Sequence, residues 1–205
     1  MNNISRVAVL TVLVLGAAVL AGCSPKFSAE TIHGIAQEVS GLPADDAIDA
    51  IMEKLHERYP GQFRKELKWH FNYAGGTLGQ MAILYASLNE YVLIFGTPIG
   101  SEGFSGRYPA MDVYDCMFAG EMWTYTEGQT EKTVYVPGDM AVLERGVAKG
   151  YSMAPGTWML EYTQGATALS LRTGLFAPNS VLNDWQTLWG VFTDYAGLVL
   201  GSFFQ

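Results

Sequence analysis

The residues of this chain that are best placed to do chemistry are carboxylates set within strongly apolar segments. Glu161 lies in the run WMLEY, and Glu90 precedes the run YVLIF. Asp112 and Asp115 bracket a Val-Tyr pair. A carboxyl group buried among such side chains has a raised pKa, so it can hold a proton near neutral pH and deliver it. Two that face one cavity can divide the acid and base roles, although a carboxylate in a strand is more often exposed or hydrogen-bonded.

Several standard catalytic sites are not expected in this sequence. The run GYSMA at 150–154 approximates the nucleophile elbow of a hydrolase. In such enzymes the catalytic histidine follows the nucleophile in the sequence, but His33, His56 and His70 all precede this run. The glycine run at 100–106 lacks the Lys-Ser/Thr of a phosphate-binding loop. There is no H-x-H or HExxH pattern, so we expect neither a metal nor another cofactor. His70 is predicted to be a core residue with a hydrogen-bond partner.

Composition indicates a membrane-associated protein and excludes a nucleic-acid partner. The chain has 205 residues, of which 16% are charged, against about 25% in an ordinary soluble domain. Mean hydropathy is +0.14, which favours contact with a membrane. The formal net charge of −8 has the wrong sign for binding a phosphate backbone.

The N-terminal segment predicts a membrane attachment. Residues 7–22 carry no charge, yet they are fewer than the roughly 20 apolar residues of a spanning helix. Their length suits a signal peptide, and the ending LAGC resembles the lipobox of a bacterial lipoprotein. We therefore expect cleavage after residue 22 and lipidation of Cys23, which would anchor residues 23–205 on the periplasmic side of a bacterial membrane. The alternative is that residues 1–22 remain as an N-terminal anchor helix.

The rest of the chain is predicted to form one domain. Helical spacing of apolar residues indicates two helices within 26–60, and short apolar runs between glycine-rich turns indicate a β-barrel or sandwich over 67–165. Several runs are apolar at consecutive positions, which predicts strands covered on both faces. Residues 178–205 are expected to form an apolar helix, either buried against the barrel or lying in lipid. With Cys23 lipidated, Cys116 has no disulfide partner, so stability would come from packing or from oligomerisation.

Several longer motifs resemble one known family. They are YASLNEYVLIFGTPIG at 85–100, GFSGRY at 103–108, VPGD at 136–139 and GTWMLEYTQG at 156–165. Together they are similar to the family of the fungal sterol C-8 isomerase and the animal sigma-one receptor, from about residue 30 to the C-terminus. The resemblance implies a cupin-like β-barrel flanked by helices, commonly a homotrimer, with C-terminal helices that lie on the membrane and close the pocket.

The resemblance also implies roles for four of the polar residues. Glu161 and Asp115 would line the pocket and meet the basic nitrogen of a ligand, and Tyr91 would hydrogen-bond the glutamate. The chain is one residue longer near the aspartate, so Asp112 is a competing match. All four are predicted to contact the ligand, with Glu161 and Asp115 as the catalytic pair, and the sequence leaves open which of Asp112 and Asp115 faces the pocket.

Aromatic residues complete the predicted binding site. Phe95 and Trp158 lie in the same two segments as Tyr91 and Glu161 and are expected to contact an apolar ligand. Phe104 occupies a position where relatives usually carry histidine, which argues against a polar role there.

The implied chemistry is a double-bond shift in a polycyclic lipid. Moving a ring double bond from position 8 to position 7 needs protonation at one carbon and deprotonation at another, through a tertiary carbocation. An acid and a base in a dry pocket suffice, with no cofactor or metal. The same carboxylates would attract a protonated amine, so a non-enzymatic receptor for hydrophobic amines or lipids is the alternative. Residues 145–153 resemble the isomerase branch more closely.

Overall fold

The computed structural model of the chain describes residues 25–171 and 175–204. The predictions for residues 1–22 and for lipidation of Cys23 fall outside the described residues. Within them, two N-terminal helices are followed by ten strands and then by C-terminal helices. The predicted mainly β fold with flanking helices is confirmed.

Two helices cover the segment where helical spacing was found. Helix α1 spans Ala29–Val39. Ser28 is its N-cap residue, and the Ser28 side chain accepts a hydrogen bond from the Thr31 amide. Helix α2 spans Ala44–Arg58 and has Asp45 and Asp46 in its first turn, where carboxylates favour the helix dipole. Each helix buries the apolar face that the spacing predicts, including Ile32 and Ile35 of α1.

In the described part of the chain, ten antiparallel strands form two sheets. Their bounds are β1 Trp69–Ala74, β2 Thr77–Ala86, β3 Glu90–Thr97, β4 Ser101–Phe104, β5 Met111–Ala119, β6 Met122–Thr126, β7 Thr133–Tyr135, β8 Met140–Leu143, β9 Lys149–Met153 and β10 Thr157–Gly165. The larger sheet has the order β1-β2-β3-β10-β5-β8, and the smaller has the order β4-β9-β6-β7. Among the described residues, strand pairing does not join the two sheets into a closed barrel.

The larger sheet is covered on both faces, as its apolar strands predict. Side chains alternate between the faces of a strand. In β10, Leu160 and Tyr162 point to the face where α1 and α2 pack. Met159 points to the other face, into a second core that also holds Met122 of β6 and Met153 of β9 in the smaller sheet. The second core therefore lies between the two sheets.

The C-terminal helices cover one end of this second core. Helix α3 spans Ala177–Val181 and helix α4 spans Trp185–Ser202. Val191, Tyr195 and Val199 of α4 are buried in the core between the sheets. The opposite side of α4 exposes large apolar residues: Trp185, Trp189 and Leu200. The apolar surface of α4 is thus divided between a buried side and an exposed side.

An ion cluster fixes α4 against β1. Asp194 accepts hydrogen bonds from Arg64 Nη1 at 2.8 Å and pairs with His70 Nε2 at 3.2 Å. A Cβ at Gly190 would lie 3.2 Å from the His70 ring, so a glycine at this position lets the helix approach the strand. His70 therefore has a polar partner, on the helix that covers the core.

Among the residues that the structure describes, no helix is both long enough and apolar enough to cross a membrane.

Candidate functional site

A largely apolar pocket lies between the two sheets and beneath α4. Its walls include six apolar side chains, two of them from β2, three from β3 and β10, and one from α4: Met81, Ile83, Leu93, Phe95, Met159 and Val191. The predicted ligand-binding residue Phe95 is thus part of the wall. Phe104 also lines the pocket, as an apolar side chain.

Glu161 and Asp115 face this pocket from neighbouring strands. Glu161 on β10 is the direct cross-strand partner of Asp115 on β5. Directly opposed residues of an antiparallel pair project to the same face, so the pairing brings the two carboxyl groups together on the pocket wall. Both residues line the pocket, in the midst of apolar side chains.

Tyr91 holds the Glu161 carboxyl group. Tyr91 on β3 donates a hydrogen bond from its hydroxyl to Glu161 Oε1 at 2.7 Å. Burial, followed by the nearby Asp115 carboxylate, raises the pKa of Glu161 to about 7, against the lowering effect of the Tyr91 hydrogen bond. Burial raises the pKa of Tyr91 well above its ordinary value, so Tyr91 remains a donor. Glu161 can therefore exchange a proton near neutral pH.

Lys149 is a pocket residue that the sequence analysis did not identify. Its Nζ donates to Asp115 Oδ2 at 2.7 Å, and both residues are only 7% exposed. The available signal was the spacing of Lys149, Tyr151 and Met153, which places the lysine on the same side of β9 as an aromatic and an apolar residue. Burial raises the pKa of Tyr151, which also lines the pocket.

Trp158 is not a pocket residue, which corrects its prediction as a ligand contact. It lies three positions before Glu161 on β10 and so projects to the opposite face. There it belongs to the core under α1 and α2 and packs edge-to-face with Trp69, with ring centroids 5.8 Å apart. Its aromatic neighbourhood in the sequence reflects helix packing against the sheet.

Asp112 does not line the pocket either, so its prediction as a ligand contact is also corrected. It lies three positions before Asp115 on β5 and accepts hydrogen bonds from the backbone and guanidinium of Arg145. The Arg145 hydrogen bonds lower the pKa of Asp112, which is therefore a carboxylate at neutral pH. Of the two aspartates left open by the sequence, Asp115 is the one that faces the pocket.

The site therefore combines two carboxyl groups, one ammonium group and an apolar wall. With Glu161 protonated, Asp115 and Lys149 form a neutral pair and the site holds one exchangeable proton. With Glu161 ionised, the three groups carry one net negative charge. The first state can protonate an apolar ligand, and the second can bind a cation.

The sequence of the chain matches one known protein family. The family model described as "ERG2 and Sigma1 receptor like protein" matches residues 4–205. "Protein erg2 homolog" of Dictyostelium discoideum is 39% identical over 153 residues, which is 75% of this chain and 65% of that protein. The chain thus spans slightly less than two thirds of the length of that relative.

Two vertebrate proteins are similarly related. "Sigma non-opioid intracellular receptor 1" of Xenopus tropicalis is 36% identical over 176 residues, covering 85% of this chain and 79% of that protein. The protein of the same name from Gallus gallus is 37% identical over 169 residues, covering 80% of this chain and 76% of that protein.

Solved structures similar to this chain include cupins. An RmlC-like cupin from Shewanella frigidimarina superposes with a TM-score of 0.42 at 16% identity, covering 51% of this chain and 95% of that one. A cupin superfamily protein from Desulfitobacterium hafniense superposes with a TM-score of 0.36 at 19% identity, covering 41% of this chain and 74% of that one.

Proposed function

The chain belongs to the ERG2 and Sigma1 receptor like family, and from this premise we propose that it shifts a ring double bond in a sterol or sterol-like polycyclic lipid, from position 8 to position 7. One observation carries the proposal: Glu161 and Asp115 stand directly opposite each other on the wall of an apolar pocket. A pocket of this kind provides an acid and a base to a substrate that is itself almost entirely apolar.

The reaction divides between the two carboxyl groups. Protonated Glu161 donates its proton to one carbon of the ring double bond, and the electron pair of that bond forms the new C–H bond. A tertiary carbocation results, which the Asp115 carboxylate stabilises electrostatically. Asp115 then accepts a proton from the adjacent ring carbon, and the C–H electrons form the shifted double bond. Return of that proton to Glu161 completes the cycle with no net gain or loss of protons.

The remaining pocket groups prepare this exchange. Tyr91 fixes the Glu161 carboxyl group through its 2.7 Å hydrogen bond, and Lys149 fixes Asp115 in the same way from the other side. Apolar side chains such as Leu93 and Met159 exclude water, which would otherwise capture the carbocation. Residues of the strands therefore both orient the two carboxyl groups and keep water out of the pocket.

The proposal is tested by turnover of a sterol with a position-8 double bond. The full chain in detergent should convert it to the position-7 isomer, and Glu161→Gln should abolish conversion while leaving the fold intact. Asp115→Asn should lower the rate by at least about 100-fold, the scale for removing an acid or base. Asp112→Asn is the matched control, because it makes the same change on the same strand outside the pocket. Undiminished turnover by Glu161→Gln would contradict the site assignment.

A receptor function is the second candidate. Ionised Glu161 gives the pocket one net negative charge within apolar walls, which suits a protonated amine with hydrophobic arms. Under this alternative, Glu161→Gln would lose amine affinity by about 2 kcal/mol or more, while the wild-type chain turns over no polycyclic lipid. Mass spectrometry of lipid extracted with the purified protein would identify the ligand that it carries.

Membrane association and assembly complete the proposal. A sterol-like substrate dissolves in membranes, and the exposed tryptophans of α4 favour the boundary between lipid and water. Trp185→Ser with Trp189→Ser should weaken flotation of the chain with phosphatidylcholine vesicles.

We further expect a homotrimer, and light scattering that gives only a monomer at every dilution would contradict it.

A further inference from the structure

The pocket contains a buried lysine whose charge the isomerisation scheme does not itself require. Lys149 is the first residue of β9 and is 7% exposed. Among the described residues that line the pocket, it is the basic one. A buried ammonium is costly unless it is paired, and its partner here is Asp115, at 2.7 Å.

The groups that face this ion pair come from every wall of the pocket. They are Glu161 on β10, Tyr91 on β3, Tyr151 on β9, Tyr195 on α4 and Tyr108 in the loop before β5. Burial raises the pKa of Tyr91, Tyr151 and Tyr195, so these three tyrosines are neutral at physiological pH. The charge of the site is therefore set by Lys149, Asp115 and Glu161.

We infer that Lys149 is a positioning residue that holds Asp115 as a carboxylate, so that the exchangeable proton of the pocket resides on Glu161 and a cationic ligand binds only when Glu161 releases it. This inference rests on the pocket of the proposed function and adds a coupling between cation binding and proton release. Lys149 acts through Asp115, and the acid and base roles of two otherwise similar carboxyl groups become distinct.

Charge accounting gives the consequence for the wild-type chain. At pH 6, Glu161 is mostly protonated, because its pKa is about 7, and the three groups sum to zero. At pH 8, Glu161 is mostly ionised and the sum is −1. The apparent affinity for a cation scales with the competent fraction, which rises about tenfold between these two pH values.

Removal of Lys149 changes this accounting. Two opposed carboxyl groups without a cation share one proton, because two like charges so close together resist joint ionisation. The pair then carries one negative charge at both pH 6 and pH 8. Lys149→Met should therefore bind cations at pH 6 about as well as at pH 8, without releasing a proton.

The experiment measures the binding of two sterol-shaped probes to the full-length protein in detergent. The cationic probe is 3-dimethylaminocholestane, and the neutral probe is cholestan-3-ol. In the wild type, affinity for the amine should fall about tenfold from pH 8 to pH 6, and calorimetry in buffers of different ionisation enthalpy should detect proton release. In Lys149→Met the fall should be less than about twofold. The neutral probe should bind independently of pH in both proteins.

Three further variants separate a positioning role from a merely structural one. Lys149→Arg keeps the positive charge and should retain the tenfold dependence. Lys149→Met combined with Asp115→Asn leaves Glu161 as the single ionisable carboxyl group and should restore the dependence. Arg145→Met removes a cation from the same segment outside the pocket, where it pairs with Asp112, and should change nothing.

Two results would overturn the inference. One is a tenfold pH dependence in Lys149→Met, and the other is a flat profile in the double variant. The double variant removes both partners of the Lys149–Asp115 ion pair together, so it tests the idea even if Lys149→Met does not fold. Because the readout is binding, absence of sterol turnover would contradict the proposed isomerisation without affecting this result.

Discussion

Glu90 and Glu161 of the larger sheet occupy similar sequence contexts and have different environments. Glu90 on β3 is 1% exposed and accepts hydrogen bonds from the backbone amides of Lys26 at 2.7 Å and Phe27 at 3.3 Å. The Tyr162 hydroxyl lies 3.0 Å from its Oε2. Glu161, on the neighbouring strand, has the Tyr91 hydroxyl as its donor and an aspartate opposite.

The comparison shows that donors, more than apolar neighbours, decide what a buried carboxyl group does. Two backbone amides and a hydroxyl group surround the Glu90 carboxyl group, which thereby ties the segment before α1 to the sheet. Glu161 has fewer donors and a like charge beside it, so its neutral form is favoured. The first glutamate is a structural anchor, and the second is free to exchange a proton.

Glu90→Gln should lower stability more than the other substitutions considered. It replaces one carboxyl oxygen with an amide group that faces donors in need of an acceptor. A buried donor left without an acceptor costs about 1–3 kcal/mol, so we expect a loss of about 4 kcal/mol in the free energy of unfolding. Urea denaturation at pH 8 measures it. A loss below about 1 kcal/mol would mean that Glu90 is not an anchor.

Glu161→Gln should instead raise the free energy of unfolding under the same conditions. The folded-state pKa of Glu161 is about 7, against an ordinary value of 4.5, so the native state binds this proton more tightly than the unfolded chain does. The resulting stability is complete below pH 4.5 and is lost as the pH rises through 7. The loss amounts to about 3 kcal/mol at pH 8.

The measurement is the free energy of unfolding of both proteins as a function of pH. Glu161→Gln cannot ionise, so it should be more stable than the wild type by up to about 3 kcal/mol at pH 8 and similar to it below pH 4.5. A difference between the two proteins that does not depend on pH would contradict the comparison.

Much of the fold could be predicted from the sequence, because its determinants are local. The apolar spacing in α1 and α2 and the glycine-rich turns between strands need no knowledge of distant residues. The partners of Asp194 on α4 could not be predicted in this way, because Arg64 and His70 are brought to the helix only by the tertiary fold.

The family motifs marked residues that lie at one pocket in the structure, whereas the face of the strand on which a residue lies could not be read from the sequence. Glu161, Asp115 and Tyr91 are brought together. Trp158 was misassigned, because an aromatic run does not reveal which face of a strand each ring occupies. Lys149 was missed, because its partner lies on another strand and a lone lysine in a sequence is normally a surface residue.

Tyr162 and Tyr91 form a matched pair of tyrosines, one beside each glutamate, for which we expect smaller effects. Tyr162 Oη lies 2.9 Å from both the Phe27 carbonyl and Gln164 Nε2, in addition to Glu90. Tyr162→Phe removes one hydrogen-bond partner from each of these groups and should cost about 2 kcal/mol. Tyr91→Phe should cost less than about 1 kcal/mol, because Glu161 can remain protonated.

The two variants should also differ in the pH dependence of turnover. The Tyr91 hydrogen bond lowers the pKa of Glu161, so its removal should move the Glu161 limb of the pH–rate profile to higher pH. Tyr162→Phe should leave that limb unchanged. A shift in both variants would mean that the two faces of the sheet are not independent.

The smallest effect is expected at Asp112, a carboxylate on β5 outside both buried sites. Its partner Arg145 has a side chain that is 58% exposed, and exposed ion pairs contribute about 0–1 kcal/mol. Asp112→Asn should therefore change the free energy of unfolding by about 0.5 kcal/mol and leave turnover and amine binding unaltered. The stability and the activity of Asp112→Asn and Asp115→Asn are measured side by side under the same conditions. Because the two aspartates are three residues apart on one strand, equal losses in both variants would show that the pocket face does not distinguish them, and the role of Asp115 would have to be abandoned.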